Sequence, residues 1–268
     1  MTYDDSYLDS PNAKAVSLTM PLTHETYKSG NLFPFFDGLI PEGWLLNVVE
    51  RNWKIDGKDR FGLLLAACRD CIGDVYIIAE DNKYVYITKR VDRIKNKMKA
   101  MEDFCQLSGR PTADKYKGSY ESCSKIIKNF SKNVGIDISE FYYRLLFCFI
   151  TGNSDMHLKN FSLIESKPGS RVFGLSEAYD LLPVTIILPE DQEQTALTLN
   201  GKKKNIRKKD FHALASSLEV TSKTSDVLTK RLISLEKKFI ETTQDSMLPK
   251  EMQTTFIELM DSRIAIFK

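Results

Sequence analysis

The sequence lacks a strong net charge and a long apolar run. Its 38 lysines and arginines nearly balance 36 aspartates and glutamates, which gives a formal net charge of +2. A charge this small creates no overall field that would attract nucleic acid or an anionic membrane. The most apolar stretch, around residues 145–150, is too short to span a bilayer and adjoins Arg144. We therefore expect no membrane association.

Targeting signals and metal-ligating residues are also scarce. Residues 1–5 contain no basic segment leading into an apolar one, as a secretory signal would, so we expect a cytoplasmic protein. Among five cysteines and three histidines, only Cys68 and Cys71 have a suggestive spacing. A single Cys-x-x-Cys without a second pair or nearby histidine is a poor zinc site. We expect reduced, partly buried thiols.

The apolar pattern predicts an α+β fold. The 268 residues are 42% hydrophobic, enough for a proper core. Up to about residue 90 the pattern mixes the two element types, and afterwards it is mainly helical. The predicted early elements are a strand over Val16–Met20, helices over Trp44–Asn52 and Asp59–Ala67, and a hairpin of Val75–Ile78 with Tyr84–Thr88. The predicted later helices are Met101–Leu107, Ser119–Asn129, Ser139–Thr151, Lys209–Leu218, Ser222–Thr243 and Pro249–Phe267.

Three polar residues that follow the predicted helix Ser139–Thr151 have a spacing that suits phosphoryl transfer. That reaction needs a group that orients the attacking hydroxyl, and it also needs oxygen ligands for magnesium. A kinase catalytic loop supplies an aspartate, an asparagine five residues later and a second aspartate further on. Asp155, Asn160 and Asp180 occupy those relative positions. Spacing alone is weak evidence, because such pairs are common and Asp180 could simply cap a turn.

The residues around this spacing carry a family resemblance. The segment Gly152–Ser162 closely resembles the catalytic-loop signature of HipA-like toxin serine/threonine kinases. Other segments resemble the same family in the same order along most of the chain: Phe36–Gly43, Arg60–Leu64, Ile72–Val75, Lys89–Arg93, Glu102–Leu107, Asp114–Tyr120, Ala178–Pro183 and Leu197–Lys202. The resemblance implies an N-terminal subdomain over residues 1–80 and a mainly helical, kinase-like C-terminal domain over residues 81–268.

The resemblance also implies roles for individual residues. Asp155 would be the catalytic base or the group that orients the hydroxyl, while Asn160 and Asp180 would hold Mg²⁺ for ATP as phosphate donor. His157 would form a hydrogen bond within the loop or approach the transferred phosphate. Lys159 would neutralise phosphate charge or be an ordinary exposed lysine. The residues expected to contact the nucleotide, on the hinge-side strand, are Lys89, Arg90 and Asp92.

The resemblance further implies partners, namely a protein substrate such as an aminoacyl-tRNA synthetase and a helix-turn-helix antitoxin. Yet the 13 glycines form no Gly-x-Gly-x-x-Gly or Walker-type loop, and the family's phosphorylatable loop serine has no evident counterpart. Two interpretations therefore stay open. The chain is an active toxin kinase, or it is an impaired pseudokinase that binds an antitoxin or another protein.

A basic cluster offers a third interpretation, nucleic-acid binding. It consists of Lys202–Lys204 and Arg207–Lys209 and has no interleaved aromatic residue. A solvated turn followed by a helix start explains such a run better. We do not expect direct binding to nucleic acid.

Overall fold

The computed structural model describes residues 1–40, 42, 43, 46, 58, 60, 75–80, 83–88, 90–95 and 97–268. The described chain forms two compact units. The first comprises residues 1–115 and 162–171, and the second comprises residues 116–161 and 172–268. The predicted helices over Trp44–Asn52 and Asp59–Ala67 lie outside the described residues, as do Cys68, Cys71 and Lys89.

The first unit contains short helices and strands. Its elements are α1 (Asp5–Leu8), α2 (Pro34–Asp37), β1 (Val75–Glu80), β2 (Lys83–Thr88), β3 (Arg93–Ile94), β4 (Lys97–Met98), β5 (Met101–Asp103), α3 (Phe104–Leu107) and β6 (Ser162–Glu165). Strands β1 and β2 pair antiparallel, with Val75 opposite Thr88 and Glu80 opposite Lys83. This confirms the predicted hairpin. Strands β3 and β4 form a second hairpin, and β5 pairs antiparallel with β6.

The second unit is mainly helical. Its elements are α4 (Tyr120–Phe130), α5 (Val134–Ile150), β7 (Phe173–Leu175), α6 (Val184–Ile187), α7 (Lys208–Ser217), α8 (Ser222–Ile233), α9 (Glu236–Gln244) and α10 (Lys250–Ala265). Together the two units give the α+β fold that the sequence predicts. No helix in the described ranges is long and apolar enough to cross a membrane.

Aromatic side chains form the core around α5. Phe141 meets Phe161 edge to face at 4.9 Å between ring centroids, and Phe149 meets Phe211 in the same way at 5.2 Å. Edge-to-face pairs of this kind contribute beyond their buried area. Phe161 follows Asn160 directly, so its burial fixes the end of the loop that leaves α5.

Two predicted elements are wrong in their boundaries. The helix over Met101–Leu107 is strand β5 followed by α3, because Asp103 caps α3 through a reciprocal pair of hydrogen bonds with Gln106. The helix over Ser222–Thr243 is two helices that break at Ser234 and Leu235. An apolar repeat that continues through the break concealed it. The other predicted helices that the structure describes agree within about two residues, except that α5 begins five residues earlier than predicted.

The predicted strand over Val16–Met20 is also wrong. The structure has a turn there, closed by a single bridge between Ser17 and Met20. Glu102 is the reason, because its buried carboxylate accepts hydrogen bonds from the Ser17 hydroxyl at 2.6 Å and from the Leu18 N–H at 2.8 Å. These side-chain bonds replace a strand ladder at this point.

Part of the basic cluster is paired within the second unit. Lys202 forms an ion pair with Asp210 at 2.8 Å and Lys203 forms one with Glu193 at 3.1 Å, while Lys208 donates to the Phe267 carbonyl. The side chains of Lys204, Arg207 and Lys209 are exposed. Half of the cluster therefore stabilises the chain's own fold.

Asp210 should make the stability of the second unit depend on pH. It has no exposed surface and accepts hydrogen bonds from Asn200, Lys202 and the Arg207 N–H. Burial opposes ionisation, but the hydrogen bonds from Lys202 and Asn200 prevail and lower the pKa of Asp210 below its ordinary value. A lowered folded-state pKa stabilises the fold above the unfolded pKa, and that contribution is lost as pH falls through the folded value.

We therefore expect the free energy of unfolding of the wild type to drop more steeply than that of Asp210→Asn as pH falls below about 4, the usual pKa of an aspartate in an unfolded chain. Urea unfolding at several pH values measures this. Parallel pH profiles for the two proteins would contradict the prediction.

Candidate active site

The candidate site begins where α5 ends. Gly152 has a φ of +69° and turns the chain out of the helix. Its carbonyl accepts two hydrogen bonds from Thr185, one from the backbone N–H and one from the hydroxyl, each at 3.0 Å. The segment after Asp180 is therefore fastened to the start of the loop that carries Asp155.

Asn153 makes a second connection between the same segments. Its buried side-chain amide donates to the Asp180 carbonyl at 3.0 Å, while its amide oxygen accepts from the Asp155 N–H at 3.2 Å. Sequence reasoning missed this residue. Its position in the loop was the only signal, since nothing in the spacing indicates a contact 27 residues away.

Asn160 brings the predicted constellation together. It lies in a 3₁₀ turn, Leu158–Asn160, and is buried. Its side-chain amide donates to the Asp155 carbonyl at 2.9 Å and to the Asp180 carboxylate at 2.7 Å. The structure thus places all three residues of the predicted spacing at one point of the second unit.

Asp180 has an unusual backbone conformation. Its φ is +55°, in the left-handed region that residues other than glycine seldom adopt. Aspartate tolerates this region better than most residues, because its short side chain forms local hydrogen bonds. The residue itself is exposed. A strained, exposed carboxylate held by buried asparagines is typical of a functional position.

Asp155 is half-buried and is held by a residue that sequence reasoning missed. The Tyr116 phenol donates to the Asp155 carboxylate at 2.8 Å. The Tyr116 side chain is 45% exposed, and its ring meets the His157 ring edge to face at 4.9 Å between centroids. Tyr116 lies in the segment Asp114–Tyr120, whose family resemblance was the one signal that could have found it.

The other predicted catalytic residues are also placed by the structure. His157 is buried, with 5% of its surface exposed, and packs against Tyr116. Lys159 is half-buried, and its carbonyl accepts a hydrogen bond from the Tyr179 phenol at 2.8 Å. This bond fixes the backbone of Lys159 and attaches the loop to the residue before Asp180.

Arg90 and Asp92, two of the predicted nucleotide contacts, lie in the first unit and pair with each other. Arg90 donates to both Asp92 carboxylate oxygens, at 2.9 and 2.7 Å, and Arg93 adds a third bond at 2.5 Å. Burial opposes ionisation of Asp92, but the bonds and charges of Arg90 and Arg93 lower its pKa. The carboxylate thus remains ionised and fixes both arginines.

The donor set at Asn160 and Asp180 suits magnesium. Amide and carboxylate oxygens are the hard ligands that Mg²⁺ takes, and Mg²⁺ commonly binds one or two protein carboxylates while phosphates and water complete its shell. Within the described ranges, no group of three or more His, Cys, Asp and Glu side chains could hold a metal by itself. A two-residue site fits an ion that arrives with a nucleotide.

Thiol chemistry is not indicated at the described cysteines. Cys105, Cys123 and Cys148 are buried and form no disulfide, as predicted for these residues. Burial raises the pKa of the Cys148 thiol to about 12. A thiol in this state is inert at neutral pH.

Comparisons with known proteins identify a family for both parts of the chain. A family model described as "HipA N-terminal domain" matches residues 1–78, and one described as "HipA-like C-terminal domain" matches residues 63–243. Two Sinorhizobium fredii proteins named as candidate kinases are similar. Y4dM is 38% identical over 138 residues, which is 50% of this chain and 32% of Y4dM. Y4mE is 29% identical over 113 residues, which is 41% of this chain and 26% of Y4mE.

One solved structure shows the fold. It is the Shewanella oneidensis HipA, HipB and operator DNA complex, which matches with a TM-score of 0.57 and 15% identity over 90% of this chain and 56% of that chain. The part of this chain that aligns with the Sinorhizobium relatives spans about a third of their length or less. The comparisons therefore cover both units of this chain and only part of the longer relatives.

Proposed function

Because this chain belongs to the HipA family of kinase-like proteins, we propose that it is a toxin kinase that transfers the γ-phosphate of ATP to a Ser or Thr hydroxyl of a protein. The observation that carries the proposal is the Asn160 amide, which joins the Asp155 loop to the Asp180 carboxylate. Phosphoryl transfer is catalysed mainly by positioning and charge stabilisation, which is what such a bridged loop supplies.

The chain's own residues take separate parts in this reaction. Asp155 accepts the proton of the substrate hydroxyl and aligns that oxygen with the phosphate. Asn160 and Asp180 would hold Mg²⁺, which would neutralise charge on the phosphates. Lys159 adds a positive charge near the transferred group, and His157 keeps Tyr116 in place by packing. Lys89, Arg90 and Asp92 stay predicted nucleotide contacts.

The first test concerns Asp180. We expect Asp180→Asn to weaken magnesium-dependent ATP binding by at least about tenfold, or about 1.4 kcal/mol, because a neutral amide replaces the only carboxylate of the proposed metal site. Calorimetric titration with ATP, with and without Mg²⁺, measures this.

Asp261→Asn is the matched control for the Asp180 test, since Asp261 is an exposed carboxylate on α10 of the same unit. Equal magnesium-dependent affinity in wild type and Asp180→Asn would remove Asp180 from the site. A loss in both variants would point to a general charge effect.

Tyr116 supports the proposed base. We expect Tyr116→Phe to lower the transfer rate by about 2- to 10-fold, because one neutral hydrogen bond of about 0.5–1.5 kcal/mol then no longer holds the Asp155 carboxylate. Steady-state kinetics with labelled ATP measures kcat and the KM for ATP separately. We expect the change in kcat, and a change confined to KM would contradict a role through Asp155.

A second function is favoured by one sequence observation, the absence of a glycine-rich phosphate loop. A pseudokinase with this fold would bind an antitoxin or another protein without chemistry. Tight, Asp180-dependent binding of Mg-ATP would count against it. No transfer and no ATP binding by the wild type would favour it.

The proposed partner is an antitoxin. The Shewanella oneidensis HipA, whose fold is similar, forms a complex with HipB and operator DNA. We propose a helix-turn-helix protein as the corresponding partner of this chain. Co-expression with a small helix-turn-helix protein encoded beside it, followed by size-exclusion chromatography, tests the pairing. The proposed target remains a protein, such as an aminoacyl-tRNA synthetase.

A further inference from the structure

An apolar patch follows the proposed metal ligand directly. Among the described residues, 13 large apolar side chains are more than a third exposed, and four of them lie within residues 181–188. They are Leu181 at 41%, Leu182 at 52%, Ile187 at 51% and Leu188 at 47%. Scattered exposed apolar residues need no explanation, but four within eight residues, directly after a proposed metal ligand, are typical of a binding surface.

The patch is fixed to the catalytic loop within one unit. Thr185, between the two pairs of patch residues, is bonded twice to the Gly152 carbonyl, and Asn153 holds the Asp180 carbonyl just before Leu181. At the far end, the Gln194 N–H donates to the Lys203 carbonyl at 2.8 Å. The patch therefore has a set position relative to Asp155.

The segment around the patch carries a net negative charge. Residues 172–201 contain five carboxylates and no lysine or arginine, in a chain whose formal charge is +2. Glu190 is exposed and Asp191 is half-buried next to the patch, while Glu193 is paired with Lys203. A surface of this kind attracts a partner that has an apolar side chain facing the patch and a basic side chain facing Glu190 and Asp191.

We infer that this surface, residues Leu181, Leu182, Ile187 and Leu188 with Glu190 and Asp191, binds the substrate segment that carries the phospho-acceptor. That segment would place an apolar residue on the leucines and a basic residue near Glu190 and Asp191. The inference rests on the proposed function, because the acceptor hydroxyl must reach Asp155. Residues near the acceptor lie only about 3.3–3.6 Å apart per position in an extended chain, so they meet the surface that adjoins Asp180.

The test uses fluorescent peptides with one central serine. One peptide carries leucine next to the serine and arginine beyond it, and three others replace the leucine, the arginine or both by glutamine. Anisotropy measures binding without requiring phosphoryl transfer. We expect the leucine–arginine peptide to bind about tenfold or more tightly than the peptide with both replaced.

Variants locate the preference on the surface. We expect Leu182→Ser and Ile187→Ser each to remove the preference for leucine, and Glu190→Lys with Asp191→Lys to remove the preference for arginine alone. Val227→Ser is the matched control, because Val227 is 56% exposed on α8 of the same unit. All of these side chains are at least partly exposed, so the fold should survive, and thermal melting checks this for each variant.

The outcomes separate the inference from the proposed function. Equal binding of all four peptides, or an unchanged preference in both Leu182→Ser and Ile187→Ser, would overturn it. A wild-type dimer in sedimentation that Leu182→Ser abolishes would also overturn it and assign the patch to a second copy of the chain. Asp155→Asn should keep the peptide preference, so loss of transfer alone leaves the inference standing.

Discussion

Replacing Asp155 by asparagine is expected to lower phosphoryl transfer by about 10²- to 10⁴-fold, the range typical of a lost general base. The asparagine side chain has nearly the same shape and still offers an oxygen to the Tyr116 phenol, so the loop should keep its structure. What it loses is the negative charge and the ability to take up the substrate proton. The change therefore isolates the chemical role of the carboxylate.

The measurement is incorporation of label from γ-labelled ATP into a protein acceptor, with magnesium present. Calorimetry on the same protein should show unchanged Mg-ATP binding, because the proposed ligands Asn160 and Asp180 remain. Asp261→Asn again serves as the control. Equal transfer by wild type and Asp155→Asn would refute the role of Asp155, and no transfer by either would favour the pseudokinase function.

The sequence predicted the centre of the candidate site better than its surroundings. The spacing of Asp155, Asn160 and Asp180 was readable because two of them lie on one short loop, and the structure brings all three together. The residues that hold them could not be read in this way. Tyr116 lies 39 positions before Asp155, and the Asn153 contact with Asp180 spans 27 positions. Such contacts depend on tertiary folding, which residue spacing does not encode.

The same limit applies to the fold. The hairpin of β1 and β2 was predictable because its two β-rich runs are close in sequence. The start of α5 was not, because Gly135 is a poor helix former and masks the first turn. At Met101–Leu107 the helical spacing conceals a strand, because β5 is specified by its partner β6 some 60 residues later. At this position the pairing of β5 with β6 determines the structure, and the local helical pattern does not.

The largest expected effect on stability comes from Gly152→Ala. At a φ of +69° any side chain is strained, which costs about 1–3 kcal/mol. A Cβ atom there would also lie 2.5 Å from the Leu259 side chain and 3.2 Å from the Thr185 side chain. The Leu259 methyl group can move, but Thr185 is held by its two bonds to the Gly152 carbonyl, so part of the crowding remains.

We expect Gly152→Ala to lower the free energy of unfolding by about 2–4 kcal/mol, which corresponds to a fall in Tm of roughly 5–15 °C for a chain of this size. Gly135→Ala is the matched control, because Gly135 lies inside α5 with no atom near its missing Cβ. An alanine there should leave stability unchanged or raise it by up to about 1 kcal/mol. Thermal and urea unfolding of both variants measure the contrast. Equal stabilities would mean that the turn between α5 and the Asp155 loop adapts freely, and that the link through Thr185 does not fix the apolar patch relative to Asp155.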